Sequence, residues 1–157
     1  MKHFAQIEFD LFTDHLLSQY ELLATSTNLN KKALIILLDI STPLSIPSND
    51  KRSGVSYLHN VSNFEIIHID TFQKLLVFLN YIQLSNNIEN YLIIAVWGLN
   101  NCFRANHWNH GKLNQVFNIL TKLELTGEGT RIITADLKNG DLEYDQLINK
   151  WLIIHEQ

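Results

Sequence analysis

The sequence contains very little cysteine and glycine, and each shortage excludes a class of protein. A single cysteine, Cys102, cannot form an intramolecular disulfide, so the chain is not a disulfide scaffold and suits a reducing, intracellular compartment. The six glycines include none in the GxxxxGK[ST] pattern, which places backbone N–H groups around a nucleotide phosphate. The sequence therefore predicts no phosphate loop.

Long apolar runs and an excess of positive charge are also absent. No apolar run approaches the ~20 residues that a membrane-spanning helix needs. The formal net charge of -4 and the isoelectric point of about 5.9 exclude a basic domain that binds nucleic acid by bulk charge. With 46% hydrophobic and 18% charged residues, the chain can nevertheless build a folded core. Its 157 residues predict a single domain, residues 1–157.

Two kinds of hydrophobic pattern alternate along the chain. Continuous apolar runs and short β-type segments predict strands at residues 33–38, 64–69, 91–97 and 131–135. Apolar residues at helical spacing predict helices at about 9–23, 71–84, 112–124 and 142–155. Both prolines fall within residues 41–54, which are predicted to form the longest loop. This alternation predicts an α/β fold with a mainly parallel sheet.

The carboxyl ends of the strands are where an α/β domain usually binds its ligand, and few catalytic side chains occur there. Asp39 and Asp136 each follow a predicted strand and could form a carboxylate pair, although capping the next turn is the commoner role. A nucleotide-hydrolysing domain would place an acidic Mg²⁺ ligand after the strand that ends at Trp97, but Gly98-Leu99-Asn100 follows instead. Trp97 itself is expected to pack in the core or against a partner.

The predicted loop from residue 100 to 111 is the most unusual local sequence. Cys102, His107 and His110 could bind a metal or form a Cys–His catalytic pair, but their spacing is irregular for zinc. The cationic or polar side chains around Trp108 could instead contact a phosphate backbone while its ring stacks on a base; they are Arg104, His107, His110 and Lys112. They could equally form a protein interface, because tryptophan and arginine are enriched in binding hot spots. A solvated loop anchored by Trp108 is the simplest interpretation.

The basic residues that could contact nucleic acid are few and scattered along the chain. A small local patch can still bind phosphates, so the net charge predicts weak DNA binding by this chain alone rather than none. The candidate DNA-binding residues are Lys51, Arg52, Arg104, Lys112 and Lys138. The candidate residues for a partner interface are Trp97, Trp108 and Trp151.

Several of these segments together resemble the small recombinase-like subunits of the fungal Shu complex, which are reduced relatives of the RecA-type fold. Residues 92–97 followed by Gly98-Leu99 are similar to the family's Walker B strand with its acidic residue lost. Residues 98–104 and the helix after them are similar to a segment of one DNA-binding Shu subunit. The resemblance covers roughly residues 33–157. The loop that is basic in the clearest member keeps only Lys138 here.

The resemblance implies a reduced three-layer RecA-like core without a phosphate loop, a cofactor, catalytic residues or a membrane contact. It implies a nuclear subunit that heterodimerises with a second RecA-like paralogue and shares DNA binding with it. Such a complex would promote assembly of recombinase filaments in homologous recombination and DNA repair. The residues themselves leave open an alternative, a small α/β hydrolase or transferase that uses Asp39, Asp136 or the group of Cys102, His107 and His110.

Overall fold

Five strands and five helices account for most of the described chain. The computed structural model describes residues 1–5, 7–27, 31–38, 62–105, 109–136 and 142–156. The strands are β1 (Lys2–Phe4), β2 (Lys32–Leu37), β3 (Phe64–His68), β4 (Tyr91–Trp97) and β5 (Arg131–Ala135). The helices are α1 (Phe9–Thr27), α2 (Phe72–Leu84), α3 (Leu99–Ala105), α4 (His110–Thr126) and α5 (Leu142–Glu156), with a short 3₁₀ helix at Asn87–Asn90.

The strands form one sheet in the order β1-β5-β4-β2-β3, and every neighbouring pair is parallel. The register is continuous across the centre of the sheet. Ile35 of β2 pairs with Ile66 of β3 and with Ala95 of β4, and Ala95 pairs with Ile133 of β5. The predicted α/β class with a parallel sheet is therefore confirmed.

Helices cover both faces of this sheet because the chain changes direction. The connection from β1 to β2 runs toward the β3 edge, whereas those from β3 to β4 and from β4 to β5 run back toward β1. When right-handed crossover connections run in opposite directions along the sheet, their helices lie on opposite faces of it. Accordingly, α1 packs on the face formed by Ala33, Ile35 and Leu37, and α2, α4 and α5 pack on the face formed by Leu34 and Ile36. The described elements form three layers.

The four predicted strands and four predicted helices are confirmed, but two further elements were not predicted. Residues 2–4 are too few for a periodic pattern, and they form β1 because β5 offers them a parallel neighbour. Residues 99–105 form α3, so the prediction of a loop from residue 100 onward is wrong for this part. Leu99, Asn100 and Cys102 of that short helix are buried. The predicted loop at residues 41–54 lies outside the described residues.

Local signals define the ends of α2 and α4. The Thr71 hydroxyl accepts a hydrogen bond from the Lys74 N–H at 3.2 Å, and the Asn109 side chain accepts one from the Lys112 N–H at 3.0 Å. Gly127 follows α4, and a Cβ there would lie 2.8 Å from the Ile88 side chain. No helix in the described ranges is long and apolar enough to cross a membrane.

Candidate functional site

The carboxyl ends of β1, β5 and β4 lie side by side and carry a group of polar side chains. The helices that follow β1 and β5 pack on opposite faces of the sheet, and such a switch point is where an α/β sheet usually places its ligand crevice. Backbone hydrogen bonds extend the sheet beyond the strand ends, from Asp136 N–H to the Phe4 carbonyl and from Gly98 N–H to the Ala135 carbonyl. The carboxyl-edge cluster consists of His3, Asn100, Thr134, Asp136 and Tyr144.

Asp136 is the centre of this cluster, and its side chain is almost completely buried. One carboxylate oxygen, Oδ1, accepts a hydrogen bond from the Asn100 N–H at 2.9 Å, and Oδ2 accepts one from the Tyr144 hydroxyl at 2.6 Å. Asn100 lies in the first turn of α3, so the carboxylate occupies the amino end of that helix. Burial raises the pKa of Asp136 to about 6, although both hydrogen bonds act in the opposite direction.

His3 enters the cluster from the neighbouring strand β1. Its Nδ1 lies 2.8 Å from Thr134 Oγ1, and its Nε2 lies 3.6 Å from Asp136 Oδ2. Burial lowers the pKa of His3 to about 4, so the imidazole is neutral near pH 7. The contact between His3 and Asp136 therefore joins a neutral ring to a carboxylate and is not an ion pair under those conditions.

Tyr144 joins α5 to the same group of side chains. Burial, followed by the charge of Asp136, raises the pKa of Tyr144 well above its ordinary value, so its hydroxyl remains a hydrogen-bond donor. Asp136 is only 1% exposed and Tyr144 is fully buried. A general acid or base must reach its substrate. The arrangement is thus suited to fastening α3 and α5 to the sheet.

Among the described residues, Cys102 and His110 of the proposed metal or thiol group lie in different environments. Cys102 is buried, with its Sγ 4.0 Å from the Leu38 carbonyl, whereas His110 is exposed and lies 3.4 Å from Glu143 Oε2. His107 lies outside the described residues, as does Asp39, so the predicted pairing of Asp39 with Asp136 stays a prediction. Within the described part of the chain, no three His, Cys, Asp or Glu side chains are grouped to hold a metal ion.

Trp97 is a core residue. It is 1% exposed, and its ring packs against Phe9 and Phe12 with centroid separations of 5.2 and 5.3 Å. The expectation that Trp97 packs in the core is confirmed. Its proposed role in a partner interface is wrong, because the last residue of a central strand is enclosed by α1 and has no surface to offer.

Trp151 and Lys112 have internal contacts of their own. The partly buried Trp151 donates a hydrogen bond from Nε1 to Asn114 Oδ1 at 2.8 Å, and its ring packs on Phe117, which fastens α5 to α4. The Lys112 ammonium lies 5.5 Å from the centre of the Phe72 ring. Their roles in partner and DNA binding stay predictions. The candidates Lys51, Arg52, Trp108 and Lys138, and the side chain of Arg104, lie outside the described residues.

Sequence reasoning named Asp136 and Asn100 separately, but it did not identify His3, Thr134 or Tyr144 as neighbours of Asp136. Tyr144 carried a usable signal, because it lies one helical turn before Leu147 and Ile148 and so extends the predicted buried stripe of α5. His3 carried none, since its position in a strand follows only from the pairing of β1 with β5.

Comparisons with known proteins do not identify a family for this chain. No protein-family model matches the sequence, and no curated protein matches it at a significant level. The function must therefore be argued from the residues and their geometry.

Proposed function

We propose that this chain is a non-catalytic subunit of a Shu-type recombinase-paralogue complex, built on a reduced RecA-like core. In this proposal the chain heterodimerises with a second RecA-like paralogue and helps to bind DNA. The complex then promotes assembly of recombinase filaments during homologous recombination and DNA repair in the nucleus. The observation that carries the proposal is the hydrogen bond from Asn100 N–H to the Asp136 carboxylate, which places a buried carboxylate at the amino end of α3.

This hydrogen bond argues against nucleotide hydrolysis because of where it lies. A nucleotide-hydrolysing domain holds phosphates on a glycine-rich loop between a strand and a helix, and holds Mg²⁺ on an acidic residue of a neighbouring strand. Here residues 5–8, which join β1 to α1, contain no glycine, and β4 is followed by Gly98-Leu99-Asn100. The carboxylate of Asp136 lies at the amino end of α3, where its charge would repel a phosphate.

The architecture supports the recombinase part of the proposal. A sheet of parallel strands with helices on both faces is what a RecA-like core requires, and residues 33–157 carry the sequence resemblance. The strand similar to the Walker B strand is β4, a central strand of the sheet. It ends at the carboxyl-edge cluster, which is where a Mg²⁺ ligand would stand in a hydrolysing relative.

The chemistry of the surface supports a protein partner. The exposed side of α2 carries Val77, Tyr81 and Leu84 in one helical stripe, and these side chains are 69%, 59% and 83% exposed. An open, mostly apolar groove of about 420 Å³ is lined by Gln73, Lys74, Val77, Phe78 and Tyr81. Contiguous exposed apolar surface commonly marks a protein interface. In this proposal the partner's chain covers the groove.

Purification from the native cell tests the proposal. We expect the tagged chain to co-purify with a second RecA-like chain in stoichiometric amount, and we expect Val77→Lys to reduce that recovery. Leu125→Lys is the matched control, because Leu125 is at least as exposed as Val77 (82% against 69%) and lies on a different helix, α4. Recovery of the chain as a stable monomer, or hydrolysis of ATP by the purified chain in the presence of Mg²⁺, would contradict the proposal.

A second candidate, a small hydrolase or transferase, rests on the raised pKa of Asp136 and on its contacts with His3 and Tyr144. Shifted pKa values are common among catalytic groups. The burial of Asp136 favours the non-catalytic function, since both of its oxygens already accept hydrogen bonds within the protein. Esterase and phosphatase activity that is abolished by Asp136→Asn in a folded protein would favour this second candidate instead.

A further inference from the structure

A second group of polar side chains lies at the opposite, amino end of β1 and β5. There a cavity of about 190 Å³ is bounded by β1, β5, α1 and the end of α4. Its polar lining consists of Lys2, His15, Gln19, Glu124 and Arg131, together with the amino group of Met1. We call this the amino-edge cavity.

The amino-edge cavity carries an excess of positive charge in a chain whose net charge is -4. Neither Lys2 nor Arg131 has an ion-pair partner among the described residues, and the Lys2 ammonium lies over the Phe4 ring at 4.8 Å. The acidic lining residue, Glu124, is already paired with the Met1 nitrogen at 2.8 Å. Two cations that no described acidic group neutralises therefore face one cavity.

His15 adds a hydrogen-bonding group that the described residues leave without a partner. Its Nε2 is buried and has no hydrogen-bond partner in the described part of the chain. The imidazole packs edge-on against the Phe4 ring, with the two ring centroids 4.6 Å apart. Burial, followed by the charge of Lys2, lowers the pKa of His15. Gln19 lies one turn further along α1 on the same side. A buried polar atom without a partner is unfavourable, and a bound ligand would relieve it.

We propose that the amino-edge cavity binds a phosphate group. Lys2 and Arg131 supply the compensating charge, because arginine and lysine are the usual partners of phosphate oxygens. The neutral imidazole of His15 donates from Nε2, and the Gln19 amide donates a further hydrogen bond. The phosphate belongs either to a DNA strand or to a free phosphate ester. Only the choice of DNA rests on the proposed function.

A titration of the full chain with inorganic phosphate, followed by amide NMR at constant ionic strength, tests the cavity directly. We expect saturable shifts at residues 15, 19 and 131, and about ten-fold weaker binding in Arg131→Gln. Lys122→Gln is the matched control, because it removes the same charge from an exposed site on α4 outside the cavity. Equal affinity of these two variants, or no shift up to tens of millimolar phosphate, would overturn the proposal.

The variant His15→Phe separates a binding role from a structural one. It removes the buried Nε2 while keeping an aromatic ring against Phe4, so we expect weaker phosphate binding without loss of stability in phosphate-free buffer. A loss of stability with unchanged phosphate affinity would mean that His15 is structural, and would contradict its assignment as a ligand.

A short single-stranded oligonucleotide distinguishes the two sources of phosphate. Tighter binding than that of inorganic phosphate, with shifts at the same residues, would identify DNA as the source. Shifts with phosphate alone would identify a free phosphate ester and leave the site in place. Absence of shifts with both probes would overturn the proposed phosphate site. It would not contradict the proposed function, which is tested separately by the co-purification of a second subunit.

Discussion

The pair His3 and Asp136 is predicted to make opposite contributions to the pH dependence of stability. Raising the pKa of Asp136 from 3.8 to about 6 costs the folded state about 3 kcal/mol at neutral pH, since one pKa unit corresponds to about 1.4 kcal/mol. Between those pH values the folded state binds more protons than the unfolded state at Asp136. Its contribution therefore makes stability fall as pH rises from about 4 to about 6.

His3 acts in the opposite direction over nearly the same range. Its pKa falls from 6.5 in the unfolded chain to about 4 in the folded protein, so the unfolded state binds more protons between those values. Stability then rises with pH by about 3 kcal/mol through this range. The two contributions nearly cancel in the wild-type protein. This cancellation depends only on the number of protons bound, and not on which of the two groups holds them.

Single substitutions should expose each contribution. We expect the stability of Asp136→Asn, relative to wild type, to rise by about 3 kcal/mol from pH 4 to pH 6, because the falling contribution of Asp136 has been removed. We expect the stability of His3→Gln, relative to wild type, to fall by about 3 kcal/mol from pH 4 to pH 6.5, because the rising contribution of His3 has been removed. Urea unfolding at several pH values measures both differences, and subtraction of the wild-type curve removes the other titrating groups.

Asp70→Asn is the control, because Asp70 is exposed and pairs with Lys74 on the surface. Its removal should leave the dependence of stability on pH between pH 4 and 6 almost unchanged. The reasoning is refuted if the Asp136→Asn and His3→Gln difference curves are both flat. It is equally refuted if they slope in the same direction. Either result would mean that burial in the carboxyl-edge cluster does not control the protonation of these groups.

Three substitutions test the packing and capping described above, each by urea or thermal unfolding. Trp97→Ala should cost about 3–5 kcal/mol because the ring is fully buried, and a loss below 1 kcal/mol would contradict its core position. Thr71→Ala should cost about 1 kcal/mol by removing the N-cap of α2, and no change would show that the cap is dispensable. Gly127→Ala should lower the free energy of unfolding by about 1–3 kcal/mol because its Cβ would clash with the Ile88 side chain. An unchanged stability would mean that the Ile88 side chain moves aside.

The strength of the hydrophobic pattern decided which elements could be predicted. The continuous apolar runs that became β2 and β4 were recognisable because a central parallel strand is buried on both faces. The three residues of β1 carry no such pattern, and α3 is too short to show a helical period. Both depend on contacts with distant segments. For the same reason, Asp136 was identified from its place after a strand, while His3 and Asn100 were not associated with it.

The sequence by itself determined the alternation of strands and helices, the absence of a glycine-rich phosphate loop and the excess of negative charge. Each of these properties depends on a short stretch of sequence or on a sum over all residues. They can therefore be determined without knowing the fold. Only the tertiary structure decided which strands are neighbours. That order buries Trp97, brings His3 and Asn100 to Asp136, and brings Lys2 and Arg131 to one cavity. Residues more than a hundred positions apart meet there because parallel strands β1 and β5 pair at the edge of the sheet.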